Sequence, residues 1–411
     1  MRTREGSAPR FGAAFTRLAW SNLAAQSAEQ VSLAAAPIIA VLALGAGAGE
    51  TGVLQAAQTL PLLVLAIPAG VLADRTSRRG LMVSAEILRT VSLVSMLLLA
   101  AFDALTLPLL ALLGFVGACG TVAYSVAAPA LVPALVAPEI LASANGRIEL
   151  ARTVAFTAGP AVAGALVGAT GAAPAFALAA ALSTSAVVLL AGLPEPVRAS
   201  LPPRHPLVEL RAGAAFVARH SLLLPILITQ LVFNAAFFVL QAVYVPHAVR
   251  ALGLSAPGVG ATLATYGVGM VTGALLAARL TRTLPFGAVV AIGPVAGFVA
   301  AVVMVLTIWM PSVLLAALSF FLLGAGPIIW VISTVTLRQT VTPPDLLGRV
   351  SAIYVTAQGA RPLGAAIGAL VGGLYGTDTA LVVAAIGFLF QAIVILTSPV
   401  MRLARQPDMV T

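Results

Sequence analysis

The chain has 411 residues, of which 60% are hydrophobic and 9% charged, with a formal net charge of +9. A soluble domain carries about 25% charged residues, so a water-facing globular protein is excluded. The basic excess is entirely arginine, scattered over short connections, and does not form a nucleic-acid-binding run. Apolar stretches long enough to cross a bilayer recur from end to end, and each must be helical because lipid satisfies no unpaired backbone group.

Twelve spans are expected. The first six cover 17–45, 50–73, 81–102, 106–134, 144–168 and 172–193; the second six cover 221–248, 257–279, 286–309, 312–337, 346–373 and 377–399. The basic stretch 1–17 leads to no small-residue cleavage site, so the first span is expected to be retained. In that span Asn22, Gln26, Glu29 and Gln30 fall on one helical face. Glu29 lies near the middle, where an acid is expensive unless it faces a cavity or a partner. It is a candidate for carrying a proton or a cationic substrate group; the bland alternative is a structural acid paired with Arg361 or a backbone donor.

Between the second and third spans stands Gly70-Val-Leu-Ala-Asp74-Arg75-Thr-Ser-Arg78-Arg79. A basic anchor that only sets topology would explain the three arginines but not Asp74, since an acid weakens such an anchor. Glu86 and Arg89, three apart in the third span, are expected to form a local ion pair with no transport role beyond supporting this turn. The fourth span carries Tyr124 and the single cysteine, Cys119, which excludes an intramolecular disulfide. In the fifth, Gly159-Pro160 removes a backbone donor, and Gly164 and Gly168 permit close helix approach, a hinge-like combination.

The longest connection, 194–220, concentrates Pro, Arg and His. Within it Leu207, Leu210, Ala214 and Val217 recur at helical spacing, which predicts an amphipathic helix on the membrane surface. It divides the chain into 1–193, a linker 194–220, and 221–411. In the seventh span Gln230, Asn234, Gln241 and Tyr244 share a face, with Phe237 and Phe238 between them. That pattern fits a mixed pocket wall, or else interhelical hydrogen-bond glue. Tyr124 and Trp330 could join the wall from the fourth and tenth spans. In the eleventh, Gln358 is a further candidate for the wall, and for Arg361 a structural salt bridge or a charge-stabilised break at Pro362 and the binding of an anionic substrate are equally open.

Loop charge orients the chain. Arg2, Arg4, Arg10, Arg17, Arg75, Arg78, Arg79, Arg147, Arg152, Arg279, Arg282, Arg338, Arg349, Arg402 and Arg405 gather at one set of ends, with the central linker. The opposite loops hold Glu50, Asp103, Asp378 and Arg250. Both termini are therefore expected in the cytoplasm. The halves also repeat at an offset near 204: Gln26 with Gln230, Gln30 with Asn234, and Leu166-Val-Gly168 with Leu370-Val-Gly372. Internal repeats mark secondary transporters, which hold substrate between halves that rock.

Gly70-x-x-x-Asp74-Arg75-x-x-Arg78-Arg79 resembles the loop between helices two and three of the major facilitator superfamily. Pro138-Glu139 through Ala144-Asn145-Gly146, with Ala158-Gly159-Pro160, resembles helix five of its exporter branches. Gln358-Gly359-Ala360-Arg361-Pro362-Leu363-Gly364 resembles helix eleven of its enterobactin-exporter-like and macrolide-efflux-like drug exporters. The resemblance implies an all-α polytopic membrane protein of 12 transmembrane helices in two pseudo-symmetric six-helix bundles. It further implies a transporter rather than an enzyme, with the Asp74 turn as a cytoplasmic gate latch. Two departures stand out: the fourth span has no arginine, and the matching second-half turn, Gly273 to Arg282, has lost the acid.

The expected activity is proton-coupled export of a hydrophobic or amphipathic small molecule, such as a drug, siderophore or secondary metabolite, across the cytoplasmic membrane by a monomer. A metabolite importer or facilitator, or a non-transporting scaffold, are the alternatives; a scaffold would need neither Glu29 nor the polar stripes. No catalytic residue, metal or cofactor is expected. No glycine-rich loop ends in Gly-Lys-Ser/Thr, so ATP is not an expected partner. His205, His220 and His247 are too separated in sequence to suggest a metal site.

Overall fold

The structure, a computed structural model, describes residues 11–137, 140–194, 206–343 and 346–407. These residues form helices and connecting turns, with no strand among them. The first half contains α1 (Ala13–Leu42), α2 (Ala48–Val64), α3 (Ala66–Arg75), α4 (Arg78–Ala101), α5 (Leu107–Leu135), α6 (Leu141–Thr170) and α7 (Ala172–Ala191). After α8 (Pro206–Arg219) come α9 (Leu223–Arg250), α10 (Ala256–Thr283), α11 (Phe286–Leu306), α12 (Val313–Val341), α13 (Leu347–Thr356) and α14 (Ala360–Thr397).

Proline chemistry explains where the spans break. The second span divides into α2 and α3 at Leu65, because Pro68 has no N–H to return to the Val64 carbonyl. The eleventh divides into α13 and α14 around a 3₁₀ turn, Ala357–Gly359, whose middle residue, Gln358, lies four residues ahead of Pro362. Gly376, at φ +87°, then turns α14 back on itself between the eleventh and twelfth spans; a side chain there would be strained. Ten described helices are long and apolar enough to cross a membrane. Dividing the last at Gly376 and taking α2 with α3 as one crossing is consistent with the expected twelve.

Among the first seven helices, α1 packs on α6 and α7, and α4 on α5 and α7; in the second set, α9 packs on α14, and α12 on α10 and α11. The two sets meet along α2 with α9 and α14, and along α6 with α10. Small residues make those seams tight. A Cβ on Gly49 would lie 3.1 Å from the Gly373 Cα, and one on Gly164 would lie 2.5 Å from the Ala256 carbonyl oxygen. Polar ties cross the same end: the Thr51 hydroxyl donates to the Ala242 carbonyl at 2.8 Å, and Arg250 donates to the Ala46 carbonyl at 2.8 Å. The end away from the arginine-rich loops is thus closed.

At the arginine-rich end, Arg17 and Arg79 donate to the Gly192 and Leu193 carbonyls at 2.7 and 2.9 Å. They satisfy acceptors that the C-terminus of α7 leaves unpaired. These arginines therefore hold structure as well as charge. Gly70 lies midway along α3 and Arg75 ends it, and the Ser77 hydroxyl caps α4 by accepting from the Gly80 amide at 2.8 Å. The Asp74 side chain lies outside the described residues, as do Pro138, Glu139 and His205. The expected linker helix is α8; its Val217 is buried, and Gly213 sits directly against the Arg349 backbone at the start of α13.

Candidate functional site

A cavity of about 310 Å³ lies between the two sets of helices. Glu29, Gln30 and Pro37 of α1, Gln55 and Gln58 of α2, Arg89 of α4, Thr121 of α5, and Arg152, Phe156 and Pro160 of α6 form one side. Phe233, Asn234, Phe237, Phe238 and Gln241 of α9, Tyr266 of α10 and Arg361 of α14 form the other.

The first wall carries a buried charge network. Arg89 Nη1 donates to Glu86 Oε1 at 2.5 Å, and the Ser183 hydroxyl donates to Glu86 Oε2 at 2.9 Å. The Glu86 side chain is 0% exposed and that of Arg89 5%, so the pair lives where an unpaired charge would be costly. Arg89 also donates to the Thr121 hydroxyl at 2.7 Å and the Ala25 carbonyl at 3.3 Å. Its Nη2 lies 3.7 Å from Glu29 Oε2. Glu29 is therefore the outermost member of a chain running Glu86–Arg89–Glu29 into the cavity, and its side chain is 20% exposed. Further along, Arg152 forks onto both Glu149 oxygens, at 2.6 Å from one of them.

The opposite wall is aromatic with one cation. Phe233 stacks on Phe237 at 5.8 Å, and Phe237 meets Tyr266 at 5.7 Å. Tyr266 in turn reaches Phe156 of the first wall at 6.2 Å. Arg361 Nε donates to Asn234 Oδ1 at 2.9 Å, and its guanidinium sits 5.5 Å from the Phe238 ring centroid. The Asn234 amide is fixed from behind by donating to the Gln230 carbonyl at 2.9 Å. No described carboxylate lies within ion-pairing distance of Arg361.

The expected residues separate accordingly. Glu29, Gln30, Asn234, Phe237, Phe238, Gln241 and Arg361 come together on this cavity, with Pro160 beside them. Asn22, Gln26, Tyr124, Gln230, Tyr244, Trp330 and Gln358 do not line it. Asn22 and Tyr124 pair with each other at 3.5 Å, buried among α1 and α5. Gln230 donates to the Tyr354 carbonyl at 2.8 Å, and Tyr244 is buried against Thr262 and Phe320. These side chains join helices within one set. Trp330 packs under Gly293 of α11, and Gln358 sits half-buried in the 3₁₀ turn. The direct Glu29–Arg361 pair is replaced by Glu29–Arg89 and Arg361–Asn234. α6 runs unbroken through Pro160, with Gly159 against Gln30 and Gly164 against α10.

The residues missed are Arg89, Arg152, Gln55, Gln58, Phe156 and Tyr266. Arg89 is the main correction: it is no mere support for a surface turn but part of the cavity wall. Its only sequence signal was its position well inside the third span.

A family model described as transmembrane secretion effector matches residues 8–409. The chain belongs to that family, within the major facilitator superfamily. The chain is 30% identical over 313 residues to the enterobactin exporter EntS of Citrobacter koseri, covering 74% of this chain and 72% of the relative. It is 29% identical over 323 residues to EntS of Salmonella typhimurium, with the same coverage. Among solved structures it resembles a bacterial homologue of the human lysosomal transporter Spinster, inward-facing and unoccupied, with TM-score 0.73, 15% identity and coverage of 97% of this chain and 98% of that one. The POT family transporter PepTSo superposes with TM-score 0.76 at 12% identity, covering 94% and 98%. The fold is accordingly the major facilitator fold, and the chain is a multi-pass membrane transporter rather than an enzyme.

Proposed function

We propose that this transporter exports a hydrophobic or amphipathic small molecule across the cytoplasmic membrane by alternating access, driven by proton entry. The observation that carries the reading is Glu29 at the cavity end of the Glu86–Arg89–Glu29 chain, 3.7 Å from Arg89. Glu86 takes the closer claim on Arg89, so Glu29 is only partly compensated and can exchange a proton with whatever enters. The aromatic wall of α9 offers the apolar body of a substrate a surface, and Asn234, Gln241, Gln55 and Gln58 offer it hydrogen bonds. The similarity to enterobactin exporters supports export as the direction.

In this reading the arginine-rich end and both termini face the cytoplasm. The closed Gly49–Gly373 and Gly164–Gly260 seams then shut the outer side, and residues 1–193 and 221–411 rock about the cavity, tied by the 194–220 linker. The turn at Gly70, Asp74, Arg75, Arg78 and Arg79 would lock the inner side in the opposite state, and Gly159 and Pro160 would let α6 adjust.

Uptake of a panel of dyes and antibiotics into inverted membrane vesicles tests it. Accumulation should follow an imposed inside-acid gradient and be abolished in Glu29→Gln while the variant remains in the membrane. Accumulation untouched by that substitution would remove Glu29 from coupling; accumulation insensitive to the gradient would make the protein a facilitator.

A further inference from the structure

The charges around the cavity do not all find mates. Glu86 is matched by Arg89 at 2.5 Å and Glu149 by the fork of Arg152. What remains is one acid and one base, Glu29 on α1 and Arg361 on α14, on opposite sides of the same cavity. Glu29 has only a share of Arg89 at 3.7 Å, because that guanidinium is already bonded to Glu86 and Thr121. Arg361 is held by a neutral acceptor, Asn234 Oδ1, through Nε. That bond orients the guanidinium and leaves its two terminal nitrogens for a ligand, the fork that matches a carboxylate or a similar oxyanion. Phe238 and its neighbours flank it with apolar surface.

From this we infer that the transported molecule is amphoteric: a protonated amine directed to Glu29 and a carboxylate or equivalent oxyanion directed to Arg361, joined through an aromatic or otherwise apolar body. The inference deepens the exporter reading and rests on it. It also agrees with the direction of coupling proposed there. An amine and a proton compete for one carboxylate, so substrate loading from one side displaces the proton and proton loading from the other displaces the amine. The oxyanion on Arg361 keeps the loaded cavity neutral, with two charges of each sign. A purely anionic molecule would leave Glu29 repelling it, and a purely cationic one would face Arg361.

Equilibrium binding to the purified full-length protein in lipid nanodiscs, without any gradient, tests the inference apart from proton coupling. Four probes on one aromatic scaffold with the charges at opposite ends suffice: 4-(aminomethyl)benzoic acid, its methyl ester, its N-acetyl derivative, and the N-acetyl methyl ester. The zwitterion should bind about tenfold tighter than either singly charged form, the order of one charge-assisted hydrogen bond. Arg361→Gln should erase the preference over the ester, and Glu29→Gln the preference over the N-acetyl form. Arg361→Lys and Glu29→Asp, which keep charge, should retain part of each preference and control for misfolding. Equal binding of all four probes, no binding of the zwitterion at millimolar concentration, or preferences unmoved by the two neutralising substitutions would each overturn the proposal. Loss of gradient-driven transport with the binding order intact would instead sink only the coupling scheme.

Discussion

At the scale of single residues, Arg89 organises the charged wall. It bonds Glu86, Thr121 and the Ala25 carbonyl and still reaches Glu29. Removing it strands Glu86, whose side chain is fully buried and retains only the Ser183 hydroxyl. Arg89→Met should therefore cost about 3–5 kcal/mol, the usual penalty for leaving a buried charge uncompensated. The double variant Arg89→Met with Glu86→Leu removes both charges and should recover most of that loss. Thermal unfolding of the detergent-purified variants decides it: a double variant no more stable than the single would mean that Glu86 is not held by Arg89. Arg89 also shows why the site was only partly legible. An acid and a base three residues apart look self-sufficient on a helix, so nothing in their spacing says that the guanidinium has a second face toward a cavity. Arg361 and Glu29 were legible for the opposite reason, since each stands without a local mate in an apolar run.

At the scale of helices, the decisive contact is α6 against α10. Gly164 and Gly260 bring the backbones together so closely that a Cβ on Gly164 would lie 2.9 Å from the Gly260 Cα. This seam joins the two sets of helices rather than stabilising either one, so filling it should hinder closure and not folding. Gly164→Val is expected to leave expression and the unfolding temperature near those of the parent protein while strongly reducing vesicle accumulation. A Gly164→Val protein that transports at the parental rate would show that this seam is not part of the cycle. The helices themselves were legible from apolar length and charge alone, and the Pro-rich breaks near Pro68 and Pro362 explain why two spans divide. The faces were less legible. A stripe such as Gln230–Asn234–Gln241–Tyr244 fixes which residues share a side of α9, but the packing of α13 and α10 decides that Gln230 and Tyr244 turn to neighbouring helices while Asn234 and Gln241 meet the cavity.

At the scale of the whole molecule, the closed end rests on few polar ties, and Arg250 supplies the clearest. It stands alone among acids in the sequence of that end, and the structure turns it onto the Ala46 carbonyl at 2.8 Å and the Gly45 carbonyl at 3.3 Å. Those carbonyls lie in the connection between α1 and α2, so a cation of one half is seated on a loop of the other. Because it joins the two halves across the closed end, opening is expected to break it, together with the Thr51–Ala242 bond. Because Arg250 is largely exposed, its loss should cost the closed state about 1 kcal/mol, a roughly fivefold shift in population. Spin labels at Phe102→Cys and Trp309→Cys, exposed at that end on opposite halves, report the shift in a Cys119→Ser background. Arg250→Ala should enlarge the long-distance population, and adding Thr51→Val should enlarge it further. An unchanged distance distribution in both variants would mean that the small-residue seams alone hold this end, and that the polar ties only follow a closure set by packing.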